Sequence, residues 1–288
     1  MIDAHHHLWD LSKIHYPWLE AKGSERFFGQ PDPIRKNYSP NDYASDHNGV
    51  IKRSVHIQVG CVPEDNVKET ELIEDYIANG APIAAIVPAV DVTAKDLAQQ
   101  LTAQQAFSHV KGVRHMIGKS PEENHQLPPF VAEKWIPGWQ LISDRELTFD
   151  LQLTSEQYED VYTALCQVPQ LKFVICHFAS PWEQDYAGFA NWRYWMEKFA
   201  NLPNCHFKLS GFSMFTHNFD LAMFIKYSTA AIEIFGYQRC MLGSNFPVDK
   251  LHMDYQTLVS AWHSLLENYT SEQQHWLSEK AAQSFYNF

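Results

Sequence analysis

A chain of 288 residues, 45% of them hydrophobic, can bury a large core, and its length suits either one α/β barrel or two average domains. Its 34 acidic and 22 basic residues give a net charge of -12, which repels nucleic-acid phosphate and anionic membrane surfaces and argues against both as partners. The longest apolar stretch, 81–90, is too short and proline-interrupted to span a bilayer.

Five cysteines, Cys61, Cys166, Cys176, Cys205 and Cys240, show no Cys-x-x-Cys spacing and mostly sit in apolar surroundings, as reduced thiols do. With no basic and apolar leader at the N-terminus, the expectation is a cytoplasmic protein. No linker, low-complexity segment or repeat divides the chain, so 1–288 reads as a single domain.

The first strand spans 2–7, Ile-Asp-Ala-His-His-His. Side chains alternate along a strand, so His5 and His7 share one face and His6 points the other way. Two neighbouring imidazoles suit a divalent metal such as zinc, or proton transfer near neutral pH. A long aromatic connection from Trp9 to about Tyr43, with Tyr16-Pro17-Trp18-Leu19 and Phe27-Phe28, reads as a loop covering a site. Strands follow at 51–59, 82–90, 110–116, 147–153, 172–178, 204–210 and 239–244, from β-branched alternation or continuous apolar runs. Helices are expected at 64–79, 94–106, 155–168 (entered at Ser155), 192–200 and 221–235, and from Asp254 and Ser271. A tryptophan-bearing segment fills 128–145.

Eight strands alternating with helices or long loops predict a (β/α)₈ barrel, whose active site gathers at the C-terminal ends of the strands. Those ends carry His5, His7, Gln58, Asp91, Arg114, His115, Asp150, Gln152, His177, Lys208, Ser210 and Asn245. Several histidines, two fixed cations and a carboxylate at one mouth compose a polar reaction site rather than a packed apolar layer. No phosphate-binding glycine loop, dinucleotide fingerprint or Gly-x-Ser-x-Gly elbow is present. Trp182, Trp192 and Trp195 read as helix packing.

His5-x-His7, Gly112-Val113-Arg114-His115, Phe149-Asp150-Leu151-Gln152, His177 with Pro181, Lys208-Leu209-Ser210-Gly211 and Gly243-Ser244-Asn245-Phe246-Pro247 together resemble the amidohydrolase superfamily. More narrowly, the chain is similar to the amidohydrolase-related branch of lactonases acting on sugar acids such as L-fucono- and L-rhamnonolactone, or on 2-pyrone-4,6-dicarboxylate. The resemblance implies a distorted barrel and hydrolysis of a small carboxylated or polyhydroxylated lactone. The wider superfamily uses divalent metals, whereas lactonases of this branch can work without one.

Departures from the superfamily pattern bear on mechanism. Asn245 stands where an aspartate usually takes the proton from water, and an amide is no general base. Arg114 with His115, and Asp150 with Gln152, replace the lysine or glutamate and the histidine of binuclear members. The expectation is therefore no required cofactor, or one divalent metal, zinc, on His5, His7 and His177. Arg114 and Lys208 would hold the oxyanion, and a base would come from His5, His7, His177 or Asp150. Asn245 would position the water, with Asp249 a fallback base if its loop folds back into the mouth. Trp18, Gln58, His115, Gln152 and Ser210 would contact substrate. The alternatives are a metal-dependent hydrolase or decarboxylase, and a non-catalytic barrel that binds a sugar acid.

Overall fold

The computed structural model describes residues 1–121, 123–124 and 127–288. Eight strands are present among the described residues: β1 (Ile2–His6), β2 (Arg53–Ile57), β3 (Ile83–Val87), β4 (Gly112–Met116), β5 (Thr148–Gln152), β6 (Phe173–Ile175), β7 (Cys205–Leu209) and β8 (Cys240–Leu242). They form two parallel ladders in chain order, β1 to β3 and β4 to β8. Backbone bonds join the ladders at both seams: Arg114 N–H donates to the Pro88 carbonyl (2.9 Å), and Asn245 N–H to the His5 carbonyl (2.7 Å). The result is a closed, distorted (β/α)₈ barrel.

The strands are short and apolar because both faces are covered, with β1, β3 and β5 buried throughout. Helices α1 (Pro17–Glu20) and α2 (Pro40–His47) lie within the first connection, where only loop is expected. The α2 signal was in the sequence: Ser39 and Asp42 form a reciprocal capping box around Pro40. Next come α3 (Asn66–Ala78), α4 (Leu97–Gln105) and α5 (Ala132–Asp144), the last being the helix within 128–145. Helix α6 (Tyr158–Leu165) is entered through a 3₁₀ turn capped by Thr154 and Gln157, which corrects the start assigned to Ser155. Asp185 caps α7 (Tyr186–Ala200), so that helix begins before Trp192. Helices α8 (Leu221–Phe235), α9 (Tyr255–Leu266), α10 (Ser271–His275) and α11 (Ala281–Tyr286) complete the chain. No helix among the described residues is long and apolar enough to cross a membrane.

Two features hold the barrel closed. Fully buried Asp3 accepts hydrogen bonds from the Ser244 amide (2.8 Å) and hydroxyl (2.5 Å), the His5 amide (3.0 Å), Tyr43 (2.6 Å) and Tyr255 (3.0 Å). This one carboxylate ties β1 to the end of β8 and to α2 and α9. At the opposite end, α11 packs Ala281, Ala282, Phe285 and Tyr286 against inward residues such as Ile2, Ala4, Val55 and Met241, plugging the barrel.

Candidate active site

A cavity of about 240 Å³ opens at the C-terminal mouth. Its walls come from successive strand ends: His7, Gln58, Arg114, Gln152, His177 and Asn245. The aromatic connection covers them with Trp9, Trp18, Phe27 and Phe28. Trp18 is fixed by donating to the Val59 carbonyl (2.9 Å). His217 and His252 donate to the carbonyls of Phe27 (2.7 Å) and Phe28 (2.8 Å), clasping that cover from the far side of the mouth.

His7 Nδ1 lies 2.8 Å from the Ile57 carbonyl, so it carries the proton and leaves Nε2 with a free lone pair. Nε2 lies 3.3 Å from Asn245 Oδ1. The Asn245 amide is oriented by donating from Nδ2 to Asp249 Oδ1 (2.9 Å). Asn245 itself adopts a left-handed backbone, which asparagine tolerates better than most residues. Burial, and then the nearby Arg114, push the His7 imidazole down to about 3, so it stays neutral at working pH. The Asp249 loop does fold back: the carboxyl is buried beside Asn245, and burial pushes it up to about 7.

His177 sits in a strained turn. Residues 177–180 all have positive φ, between 52° and 59°, each costing roughly 1–2 kcal/mol for an L-residue. Buried donors hold the turn: Trp192 bonds to the Phe178 carbonyl (2.7 Å) and Tyr158 to that of Ala179. His177 Nδ1 meets Ser210 Oγ (3.1 Å), and Nε2 faces the Arg114 guanidinium (3.4 Å), which also bonds to Gln152. An arginine only donates, so Nε2 is the acceptor, and burial with Arg114 keeps this histidine neutral too.

Several expected wall residues stand elsewhere. His5, Asp150, Lys208 and Ser210 form a buried layer beneath the cavity. Lys208 Nζ pairs with Asp150 Oδ2 at 2.6 Å with neither side chain exposed, and lies 3.5 Å from His5 Nδ1. Lys208 thus points down the barrel axis rather than into the mouth. His115, one residue after Arg114, turns outward, as period two requires, to pack at a tilt against Trp135 and approach half-exposed Asp91 (3.7 Å). Neither His115 nor Asp91 reaches the cavity. Trp192 packs against Tyr227, Trp195 against Tyr162 and Trp182 against Phe215. His6 stacks on Tyr43 outside the barrel, as alternation predicts.

The cavity also holds residues that strand-end reasoning missed, among them Arg26, Lys119 and Met214. Arg26 is steered by Glu123 (3.1 Å) over the rings of Trp18 and Phe28. Arg26 and Lys119 lie in loops and Met214 in a 3₁₀ turn (Phe212–Phe215), and no local sequence signal marks them.

A family model described as amidohydrolase matches residues 2–288. The chain belongs to the amidohydrolase family. This amidohydrolase is 25% identical over 276 residues to an L-fucono-1,5-lactonase of Burkholderia multivorans, covering 91% of this chain and 88% of that one. Its fold matches an amidohydrolase from Burkholderia multivorans solved with bound zinc, with a TM-score of 0.82, 22% identity, and coverage of 100% and 99% of the two chains. It also matches a probable 2-pyrone-4,6-dicarboxylic acid hydrolase from Acinetobacter baumannii with citric acid bound (TM-score 0.74, 13% identity, 100% and 99% coverage).

The donors of this amidohydrolase do not fit a three-histidine zinc site as they are arranged. An ammonium only donates, so Lys208 makes His5 Nδ1 the acceptor and places the proton on Nε2. His177 Nε2 faces a guanidinium and its Nδ1 faces a hydroxyl. Only His7 keeps an uncommitted lone pair. A second cluster, His5, Asp150 and Cys176, brings ligand atoms within 4.8 Å. Lys208 and Tyr286 already occupy that carboxylate, and burial pushes the thiol up to about 12, far from the thiolate a metal needs.

Proposed function

We propose that this amidohydrolase hydrolyses a small-molecule lactone by direct attack of water. The observation that carries the proposal is the pair of acceptors, His7 Nε2 and Asn245 Oδ1, 3.3 Å apart on the cavity wall. Neither can donate to the other. A water that donates one hydrogen to each turns its lone pair outward, toward a carbonyl held by Arg114.

Attack forms the new C–O bond as the water proton passes to His7 Nε2. The Arg114 guanidinium, oriented by Gln152, meets the developing oxyanion. That negative charge beside His7 raises the basicity that burial depresses in the free enzyme. Collapse breaks the ring C–O bond, and the departing alkoxide takes the proton from His7, leaving an open hydroxy acid. No step passes through a metal. Arg26 and Lys119 on the cavity wall favour a lactone that also bears a carboxylate. Sequence similarity to lactonases supports the same reading.

The test is a panel of sugar-acid and pyrone lactones followed by acid release, before and after chelation. Ring opening that survives chelation is expected. Activity lost on chelation and restored by zinc would establish the metal-dependent alternative. Thermal stabilisation by a sugar acid without turnover of any lactone would identify a binding barrel.

A further inference from the structure

Helix α11 reaches the buried layer of His5, Asp150 and Lys208 from below. Tyr286, in the plug helix α11, is 1% exposed, and its hydroxyl donates to Asp150 Oδ1 (2.8 Å) and Oδ2 (3.0 Å). Lys208 Nζ lies 5.1 Å from the centre of its ring, within cation–π range. Tyr286 therefore touches both members of a fully desolvated ion pair. Lys172 anchors the helix end by donating to the carbonyls of Ser284 (2.7 Å) and Phe285 (2.8 Å).

The two Asp150 oxygens are not equivalent. Oδ2 accepts from Lys208, Cys176 and Tyr286, whereas among the described residues Tyr286 is the donor recorded at Oδ1. With Oδ1 satisfied, the Lys208 ammonium can spend another donor on His5 Nδ1. That contact keeps the His5 proton on Nε2, a fully buried N–H with no partner among the described residues, in a ring 4.3 Å from that of His177. If the phenol hydroxyl is removed, Oδ1 becomes a buried bare acceptor. Lys208 is then drawn to bridge both oxygens, because a buried unsatisfied carboxylate oxygen costs more than a 3.5 Å contact to imidazole.

We infer that Tyr286 is a positioning residue: acting from the barrel floor through Asp150 and Lys208, it sets the tautomer and orientation of His5 beneath the cavity. The kinetic part rests on the lactonase reading; the structural part does not.

The test compares Tyr286→Phe with Phe285→Leu in the full chain. The first keeps the plug and the aromatic ring but deletes the hydroxyl; the second alters the plug without touching Asp150. Side-chain ¹⁵N spectra, with the His5 signals assigned by their absence in His5→Gln, report the tautomer. In Tyr286→Phe, His5 Nδ1 is expected to leave the acceptor position, and kcat to fall about tenfold with KM within about twofold, the scale of one hydrogen bond to a charged group. In Phe285→Leu the tautomer is expected to be unchanged. A wild-type His5 tautomer in Tyr286→Phe overturns the inference whatever the rate, as does an equal change in both variants. If no lactone is turned over, the spectra still decide.

Discussion

His7 and Asn245 face each other with two lone pairs and no proton between them. The groups around them preserve that mismatch: the Ile57 backbone carbonyl sets the His7 tautomer and the Asp249 carboxyl orients the amide. His7→Gln removes the base while leaving the fold, and kcat is expected to fall by about 10²- to 10⁴-fold with little change in KM. Arg114→Lys keeps the charge but loses the planar guanidinium whose Nη2 reaches Gln152 and His177 together. A fall in kcat/KM of about 10²-fold on the lactone is expected, with unfolding midpoints separating it from a stability effect.

At the scale of elements, strand ends are short and the turns after them do the aiming. Gly211, at φ +67°, follows β7 so closely to the β6 turn that a Cβ would lie 2.5 Å from His177 Nδ1 and 2.7 Å from Met214 Cε. Gly211→Ala is expected to displace His177, lowering activity sharply while destabilising the fold by only about 1–3 kcal/mol, measurable by urea unfolding. The Asp3 staple carries the opposite balance. It lies outside the cavity, and Asp3→Asn forfeits bonds to a buried carboxylate at a cost of about 3 kcal/mol. The denaturation midpoint should fall, and activity at low temperature should survive.

Across the whole molecule, six buried imidazoles, His5, His6, His7, His47, His56 and His177, have values lowered by burial, with His6 and His7 at about 3. Unfolding lets each take up a proton below its ordinary value of 6.5, so the unfolded state binds more protons and stability falls with falling pH. Asp249 and Glu69 act in the other direction. Burial raises both to about 7, so their contribution is full below the ordinary carboxylate range and is lost as pH rises to about 7. Six groups against two make acid loss dominant: the thermal midpoint should be highest near pH 7 and decline steadily toward pH 4. A midpoint that rises on acidification would contradict the neutral-histidine layer.

Much of this architecture was legible in order along the chain. Apolar runs, β-branched alternation and cap residues locate eight strands and most helices, and period two correctly separates His6 from its neighbours. The same arithmetic places His7, Gln58, Arg114, Gln152, His177 and Asn245 at one mouth, since each lies within a few residues of a strand's C-terminal end. Sequence position does not distinguish depth along a barrel axis, which is why Lys208 and Asp150 looked like wall residues and proved to be a buried pair. Nor does it show which way a residue past the last strand position turns, as His115 illustrates. The cover residues Arg26 and Lys119, the Asp3 staple and Tyr286 depend on contacts between segments tens to hundreds of residues apart. Local periodicity carries no information about such contacts, because they form only when the barrel closes and its C-terminal helix seals the floor.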